Sequence, residues 1–444
     1  MRRPVPRLFR NPGLSLRVWR LRFLFWSGAV TIALAAMLLA QITVLGDGLF
    51  HRVLAYRGWL AFLITPTAFA AILWMTKTVF PGTEGSGIPQ AIAALKIPIL
   101  AERRSILSLR VAVGKILLTT LALCAGASVG REGPTVQVGA SIMSALGRWM
   151  RLPAAGMESA LVLAGGAAGI AAAFNTPLAG VMFAIEELSR SFEERTSGTV
   201  FTAVIVAGIG SMAVLGNYTY FGHTDATLDL RHAWRPVLAC GLSGGLLGGV
   251  FAQILIAFSQ GLPGRIGQLV KRHPIVFAAL CGLGLAAVGQ LSGNTIYGTG
   301  YSEARGMIEG TRSLPLSFAP LKLVATVLSY ISGIPGGIFA PSLAVGAGLG
   351  ADLARLMPGI PVGALMILGM GAYFTGVVQA PITAVVIVME MTDNQSLGIP
   401  LMATVLLAFG ASRLVCPEAI YRTLAHSFLD KALRHQPRLD LEVK

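Results

Sequence analysis

The stretch Gly130-Arg-Glu-Gly-Pro-Thr-Val-Gln-Val-Gly-Ala140 decides how the chain is read, because it returns as Gly337-Ile-Phe-Ala-Pro-Ser-Leu-Ala-Val-Gly-Ala347. Gly130, Pro134, Val138, Gly139 and Ala140 recur 207 positions later as Gly337, Pro341, Val345, Gly346 and Ala347. Downstream, Pro177-Leu-Ala-Gly-Val-Met-Phe-Ala-Ile-Glu186 pairs with Pro381-Ile-Thr-Ala-Val-Val-Ile-Val-Met-Glu390 at a spacing of 204. Residues 161–168 resemble 365–372 at the same spacing of 204. Apolar composition alone does not produce near-equal spacings in three blocks, so the chain is a duplication. The blocks do not reveal whether the second half is inverted.

The repeats sit in a chain made for lipid. Charged residues are only 12% of the 444, about half the share of an ordinary soluble domain. Residues 23–46 and 274–301 carry no charge at all, and each is long enough to cross a hydrocarbon core of roughly 30 Å. Further apolar stretches lie near 58–76, 111–130, 158–185, 197–222, 236–263, 318–350 and 361–389, several broken by Gly or Pro. The net charge of +15 does not point to nucleic acid. Seven Arg fall in the first 22 residues with no acid before Asp47, the mark of a cytoplasmic N-terminus ahead of a first span. That first apolar run is too long for a cleaved signal peptide. The resulting division is a basic segment 1–22, membrane halves 23–230 and 231–427, and a net-basic cytoplasmic tail 428–444. The junction lies near 231–236, where two Arg, a His and a Pro interrupt the apolar pattern.

Cys124, Cys240, Cys281 and Cys416 are scattered, with neither metal-ligand spacing nor a disulfide framework. No resident cofactor or metal is expected. The six His lie near loops or segment ends, leaving no intramembrane base to serve a nucleophile. An intramembrane enzyme is therefore disfavoured. A purely structural membrane protein would have no use for the buried acid expected at Glu132.

Three interruptions carry the chemistry: Gly85-Ser-Gly-Ile-Pro89, Gly130-Arg-Glu-Gly-Pro134 and Gly336-Gly-Ile-Phe-Ala-Pro341. In each, Gly lets the backbone turn and Pro follows where a first helical turn begins, since Pro lacks an N–H that would be unpartnered there. A helix that starts inside a membrane offers orphan N–H groups and the positive end of its dipole. Converging starts make an anion site without a full positive charge, and Ser86 adds a hydroxyl. Any one motif reads equally well as a packing kink. Three together, two of them related by the repeat, favour a site.

These residues resemble the CLC family of chloride channels and antiporters, whose Gly-Ser-Gly-Ile-Pro, Gly-Arg-Glu-Gly-Pro and Gly-Ile-Phe-Ala-Pro signatures stand here unaltered and in order. Phe174-Asn-Thr-Pro-Leu-Ala-Gly180 and Glu390-Met-Thr-Asp-Asn394 are similar too, and the likeness runs from about 20 to 427. The resemblance implies an all-α integral membrane fold with inverted repeats and many tilted, broken helices. It implies a homodimer with one ion pathway per subunit, in a bacterial inner membrane, with both termini cytoplasmic. It implies chloride at Ser86, Gly87, Ile88, Gly133, Ile338, Phe339 and Ala340, an external gating acid at Glu132, and an internal proton-transfer acid at Glu187. Together the two acids favour chloride/proton exchange. A passive chloride channel is the alternative.

Intramembrane acids are costly and usually functional. The Glu132 carboxylate, next to a helix start, can fill the anion seat when charged and leave it when protonated. Glu186 reads as a solvated helix end, and its repeat mate Glu390 as structural. Arg131 is left between a structural counter-ion and a surface cation. Lys115 matches a buried family lysine, but the acid that often faces that lysine is Ile92 here. The family's inner tyrosine also departs: by register it falls near Cys416 or Pro417, and Tyr421 comes four or five residues later. The expectation is an altered inner gate.

Overall fold

Backbone N–H and C=O groups find no water in hydrocarbon, so a lipid-solvated chain must satisfy them within helices. The computed structural model describes residues 16–97, 100–150, 155–189, 194–216, 219–229 and 231–434, and these form helices with no strand among them. The first half supplies α1 (Leu16–Tyr56), α2 (Ala61–Thr78), α3 (Ile88–Lys96), α4 (Leu100–Ile106), α5 (Leu109–Cys124), α6 (Glu132–Trp149), α7 (Ala155–Phe174), α8 (Pro177–Phe183) and α9 (Glu194–Leu215). The second supplies α10 (Trp234–Gln260), α11 (Gly264–Arg272), α12 (Pro274–Leu291), α13 (Tyr301–Ile308), α14 (Phe318–Ile331), α15 (Phe339–Ala354), α16 (Val362–Val378), α17 (Pro381–Thr392), α18 (Gly398–Val415) and α19 (Ile420–Arg434). Among the described residues, seven helices are long and apolar enough to cross a bilayer. Leu34, Leu280 and Leu406 stand exposed on such helices, as side chains facing lipid do.

Several spans differ from the apolar runs. The uncharged run 274–301 is helical only to Leu291; the chain then turns through Asn294 at positive φ before α13. The run 318–350 is split between α14 and α15, and 158–185 between α7 and α8. The first helix reaches beyond its uncharged stretch and takes in Asp47. At the other end α19 continues to Arg434, past the 427 boundary.

The duplication is visible as packing. Helix α6 lies on α7, and its mate α15 lies on α16. Both pairs cross at glycine. A Cβ on Gly139 would strike the Gly165 carbonyl, and one on Gly346 would strike that of Gly369. Small residues let backbones approach this closely where no hydrophobic force drives membrane helices together.

The halves are inverted. Gly130 and Gly337, mates in the repeat, exchange two backbone hydrogen bonds: Gly130 N–H to the Gly337 carbonyl at 2.6 Å, and the reverse at 2.8 Å. Reciprocal pairing of mates requires a local two-fold axis through the bridge. Helices α8 and α17, also mates, pack together with opposite directions. Glu390, near the end of α17, accepts hydrogen bonds from Leu178 N (3.1 Å) and Ala179 N (2.7 Å) at the start of α8. Glu186, just beyond α8, accepts from Ile382 N (3.2 Å) and Thr383 N (2.6 Å) at the start of α17. Each carboxylate caps the helix of the other half, satisfying orphan donors. Glu186 is therefore not the solvated helix end expected from its position. The structural reading of Glu390 agrees with its cap.

Candidate functional site

The three Gly/Pro interruptions meet. Gly336 N donates to the Gly85 carbonyl at 3.0 Å, and Gly337 pairs with Gly130. A Cβ on Gly133 would collide with Ser86 Oγ and lie 2.8 Å from the Ser86 carbonyl. The starts of α6 and α15 and the turn before α3 thus share one buried place. Gly87, the residue before α3, has φ +106°, a left-handed conformation that an L side chain rarely takes. Ser86, Ile88, Glu132, Ile338, Phe339 and Ala340 are all at most 1% exposed.

A buried lysine holds the turn. Lys115, at 0% exposure, donates to the carbonyls of Thr83 (2.8 Å) and Gly85 (2.6 Å). With Ile92 in place of an acid on α3, these carbonyls and the nearby Glu84 carboxylate face the amine. The repeat mate of Lys115 is Lys322. It does the same for the carbonyls of Ile296 (2.8 Å), Tyr297 (3.3 Å) and Gly298 (2.8 Å) before α13. Lys322 went unremarked in the sequence, although the spacing of 207 was there to find it.

Glu132 opens α6 and is completely buried. Its side chain reaches across the bridge: Oε2 accepts from Ala340 N at the start of α15 (3.4 Å), and Oε1 accepts from the Tyr220 hydroxyl (3.3 Å). The carboxylate of one half therefore sits on the helix start of the other. Tyr220 comes from the irregular stretch between α9 and α10. Its ring packs on Tyr301 (4.7 Å), Phe221 (5.0 Å) and Phe174 (5.3 Å). The Arg131 guanidinium lies 5.5 Å from the Tyr220 ring centre, and Arg131 is 8% exposed. Arg131 is thus no surface cation. A cavity of about 330 Å³ bounded by Asp47, Arg131, Tyr220, Thr299, Tyr301 and Ser302 opens beside them.

On the other side of the seat, Tyr421 corrects the expectation of a missing inner tyrosine. It is 0% exposed, and its hydroxyl faces Ser86. Apart from each other, neither Ser86 Oγ nor Tyr421 Oη has a protein hydrogen-bond partner. Cys416, where the register placed the tyrosine, instead donates its thiol to the Glu418 carbonyl at 3.2 Å. A cavity of about 190 Å³ runs to Ser86 between Glu84, Tyr330, Leu424 and Phe428.

Glu187 is 1% exposed and lies on a π-helical turn, residues Ala184–Ser189, that extends α8. Such turns are rare and concentrate at functional sites. It is close enough to Tyr421 for its charge to bear on the phenol. An aromatic cluster joins Tyr220 to α8: Phe174, which packs on Tyr220, lies 5.2 Å from Phe339, and Phe339 contacts Phe374 (4.3 Å) and Phe183 of α8 (6.3 Å).

Inverted halves whose broken helices meet around a buried acid define a membrane-transport scaffold. The family description "Voltage gated chloride channel" matches residues 67–413. The H(+)/Cl(-) exchange transporter ClcA of Vibrio campbellii is 32% identical over 398 residues, spanning 85% of this chain and 82% of that one. The protein of the same name from Salmonella typhi is 32% identical over 401 residues, 85% and 83% of the two chains. A solved structure of a slow cyanobacterial Cl-/H+ antiporter superposes with a TM-score of 0.76 at 26% identity, covering 92% of this chain and 98% of that one. A CLC-type fluoride/proton antiporter, 24% identical, shares the fold at a TM-score of 0.75 over 92% and 98% of the two chains. This chain belongs to the CLC family.

Proposed function

We propose that this protein is a chloride/proton antiporter. The observation that carries the reading is the pair of buried hydroxyls of Ser86 and Tyr421, which face each other beside helix starts and have no other protein partner, with the Glu132 carboxylate lying on one of those starts. Two hydroxyls that share at most one bond leave a buried donor over, which is expensive, and a chloride ion accepts from both. The seat is built from Ser86, Gly87, Ile88, Gly133, Ile338, Phe339 and Ala340, with Tyr421 added. Glu132 occupies it as an anion and vacates it on protonation, so chloride and a proton exchange through one place. Glu187 passes protons on the opposite side of the aromatic cluster. Its neighbour Glu186 borders a separate cavity of about 810 Å³ with Arg413, Glu418 and His426. Chloride and protons thus have distinct approaches, the first through the cavity at Ser86.

The N-terminal Arg residues favour a cytoplasmic N-terminus. The far end of α1, with Asp47, then faces outward, and the cavity at Arg131 and Tyr220 is the outer mouth. The bacterial relatives support a bacterial plasma membrane, and the family likeness supports a homodimer with one pathway in each subunit.

The test is flux in liposomes. Purified protein is given a chloride gradient, and external pH is followed while potassium and valinomycin hold the voltage at zero. Uphill proton movement under that clamp is expected. Chloride flux without proton movement would replace exchange by passive conduction.

A further inference from the structure

Three features of the molecule lie outside the seat. Helix α11 carries Arg265 and Arg272 beside the exposed Leu269, with Lys271 on another face, but nothing in the structure marks what covers it. The turn before α13, held by Lys322, offers a helix start with no second sign of a ligand. The third, Tyr220, touches Glu132 directly.

We infer that Tyr220 is a positioning residue for exchange: its hydroxyl holds the Glu132 carboxylate in the chloride seat, from the wall of the cavity at Arg131. The inference rests on the reading of Glu132 as the group that competes with chloride. Four observations converge. The hydroxyl donates to Oε1 while Ala340 N donates to Oε2, so the two carboxylate oxygens are held from opposite sides. The ring has little freedom, being packed edge-on against Tyr301, Phe221 and Phe174. The Arg131 guanidinium covers the ring and borders the same cavity. Tyr220 itself is 2% exposed yet forms part of that cavity's wall. A carboxylate leaving the seat toward this cavity must first give up the phenol. The Tyr220 bond therefore favours the state in which Glu132 fills the seat, and it weakens chloride by competition.

A hydrogen bond to a charged group shifts an equilibrium by about tenfold at the lower end of its range. At 3.3 Å this one is long, and a change of about five- to tenfold is expected. The experiment is calorimetric titration of chloride into purified protein, comparing Tyr220→Phe, Glu132→Gln and the double variant with the parent. Phenylalanine keeps the ring packing, and elution as a single folded species checks each variant. Tyr220→Phe is expected to tighten chloride about five- to tenfold in the parent, and by less than twofold when Glu132 is already Gln. Equal tightening in both backgrounds would mean that Tyr220 acts on chloride without Glu132, which overturns the inference. No change on Tyr220→Phe, with clear tightening on Glu132→Gln, removes Tyr220 and leaves the role of Glu132 standing. No tightening on Glu132→Gln removes the competing-acid reading, and this inference with it.

Discussion

Replacing Glu390 by Ala removes both acceptors from the start of α8, and replacing Glu186 by Ala does the same to α17. In each case one bond is short, 2.7 or 2.6 Å, and the other is 3.1 or 3.2 Å. A helix cap is worth about 0.5–2 kcal/mol, and a hydrogen bond to a charged group about 1.5–3 kcal/mol. Counting the short bond fully and the long one weakly gives about 2 kcal/mol for either variant. This is roughly a thirtyfold shift toward the unfolded state. The two caps lie at opposite ends of the antiparallel pair, roughly 12 Å apart at 1.5 Å per residue. Sites that far apart add, so the double variant is expected to lose about 4 kcal/mol. The assay is reversible unfolding in mixed micelles with increasing sodium dodecyl sulfate, followed by tryptophan fluorescence. Gln in place of either Glu keeps one acceptor and should cost about half as much. Loss of less than about 0.5 kcal/mol in either Ala variant would refute the idea that the caps stabilise the pair. A large effect in one and none in the other would refute their equivalence.

Other outcomes follow from the seat. Glu132→Gln should abolish proton movement in the liposome assay while chloride still flows; uphill proton pumping by that variant would remove Glu132 from the mechanism. Glu187→Gln should reduce proton flux at least tenfold more than chloride flux, whereas equal losses in both would indicate misfolding. Gly87→Ala forces a left-handed residue, at about 1–2 kcal/mol, and brings a methyl within 2.7 Å of the Gly133 carbonyl. A total loss of about 3 kcal/mol in the same micellar unfolding is expected, together with weaker chloride binding by calorimetry.

The repeat, the broken helices and the meeting of their starts were legible because each rests on Gly or Pro at fixed spacing, which one strand of sequence records. Tyr421 was misread because register was counted along the chain. The break at Pro417 and the new helix from Ile420 bring a residue several positions later to Ser86. Tyr220 lies in an irregular stretch without periodicity, so nothing local marked it. Glu186 looked like a solvated end because its donors belong to the other half, more than 190 positions away. The turn after Leu291 did carry a signal, Ser292-Gly-Asn294, which the absence of charge across 274–301 obscured.

The crossing of carboxylates between halves has a consequence for how a duplicated scaffold becomes a machine. At Glu186 and Glu390 both copies keep the acid, and the exchange is symmetric. At the central bridge the same geometry is used once only: Glu132 reaches the start of α15, while the position that corresponds to it in the other half is Phe339. Had both copies kept an acid there, two negative charges would face each other across a bridge of two hydrogen bonds, and each would oppose an incoming anion. With an aromatic ring in one copy, a single carboxylate remains at the bridge. On the proposed role of Glu132, the asymmetry gives the pathway a direction: the acid departs toward its own side while the ring stays behind as a wall. A reversal of that choice, with the acid at 339 and the ring at 132, would make a protein of nearly the same shape facing the opposite way.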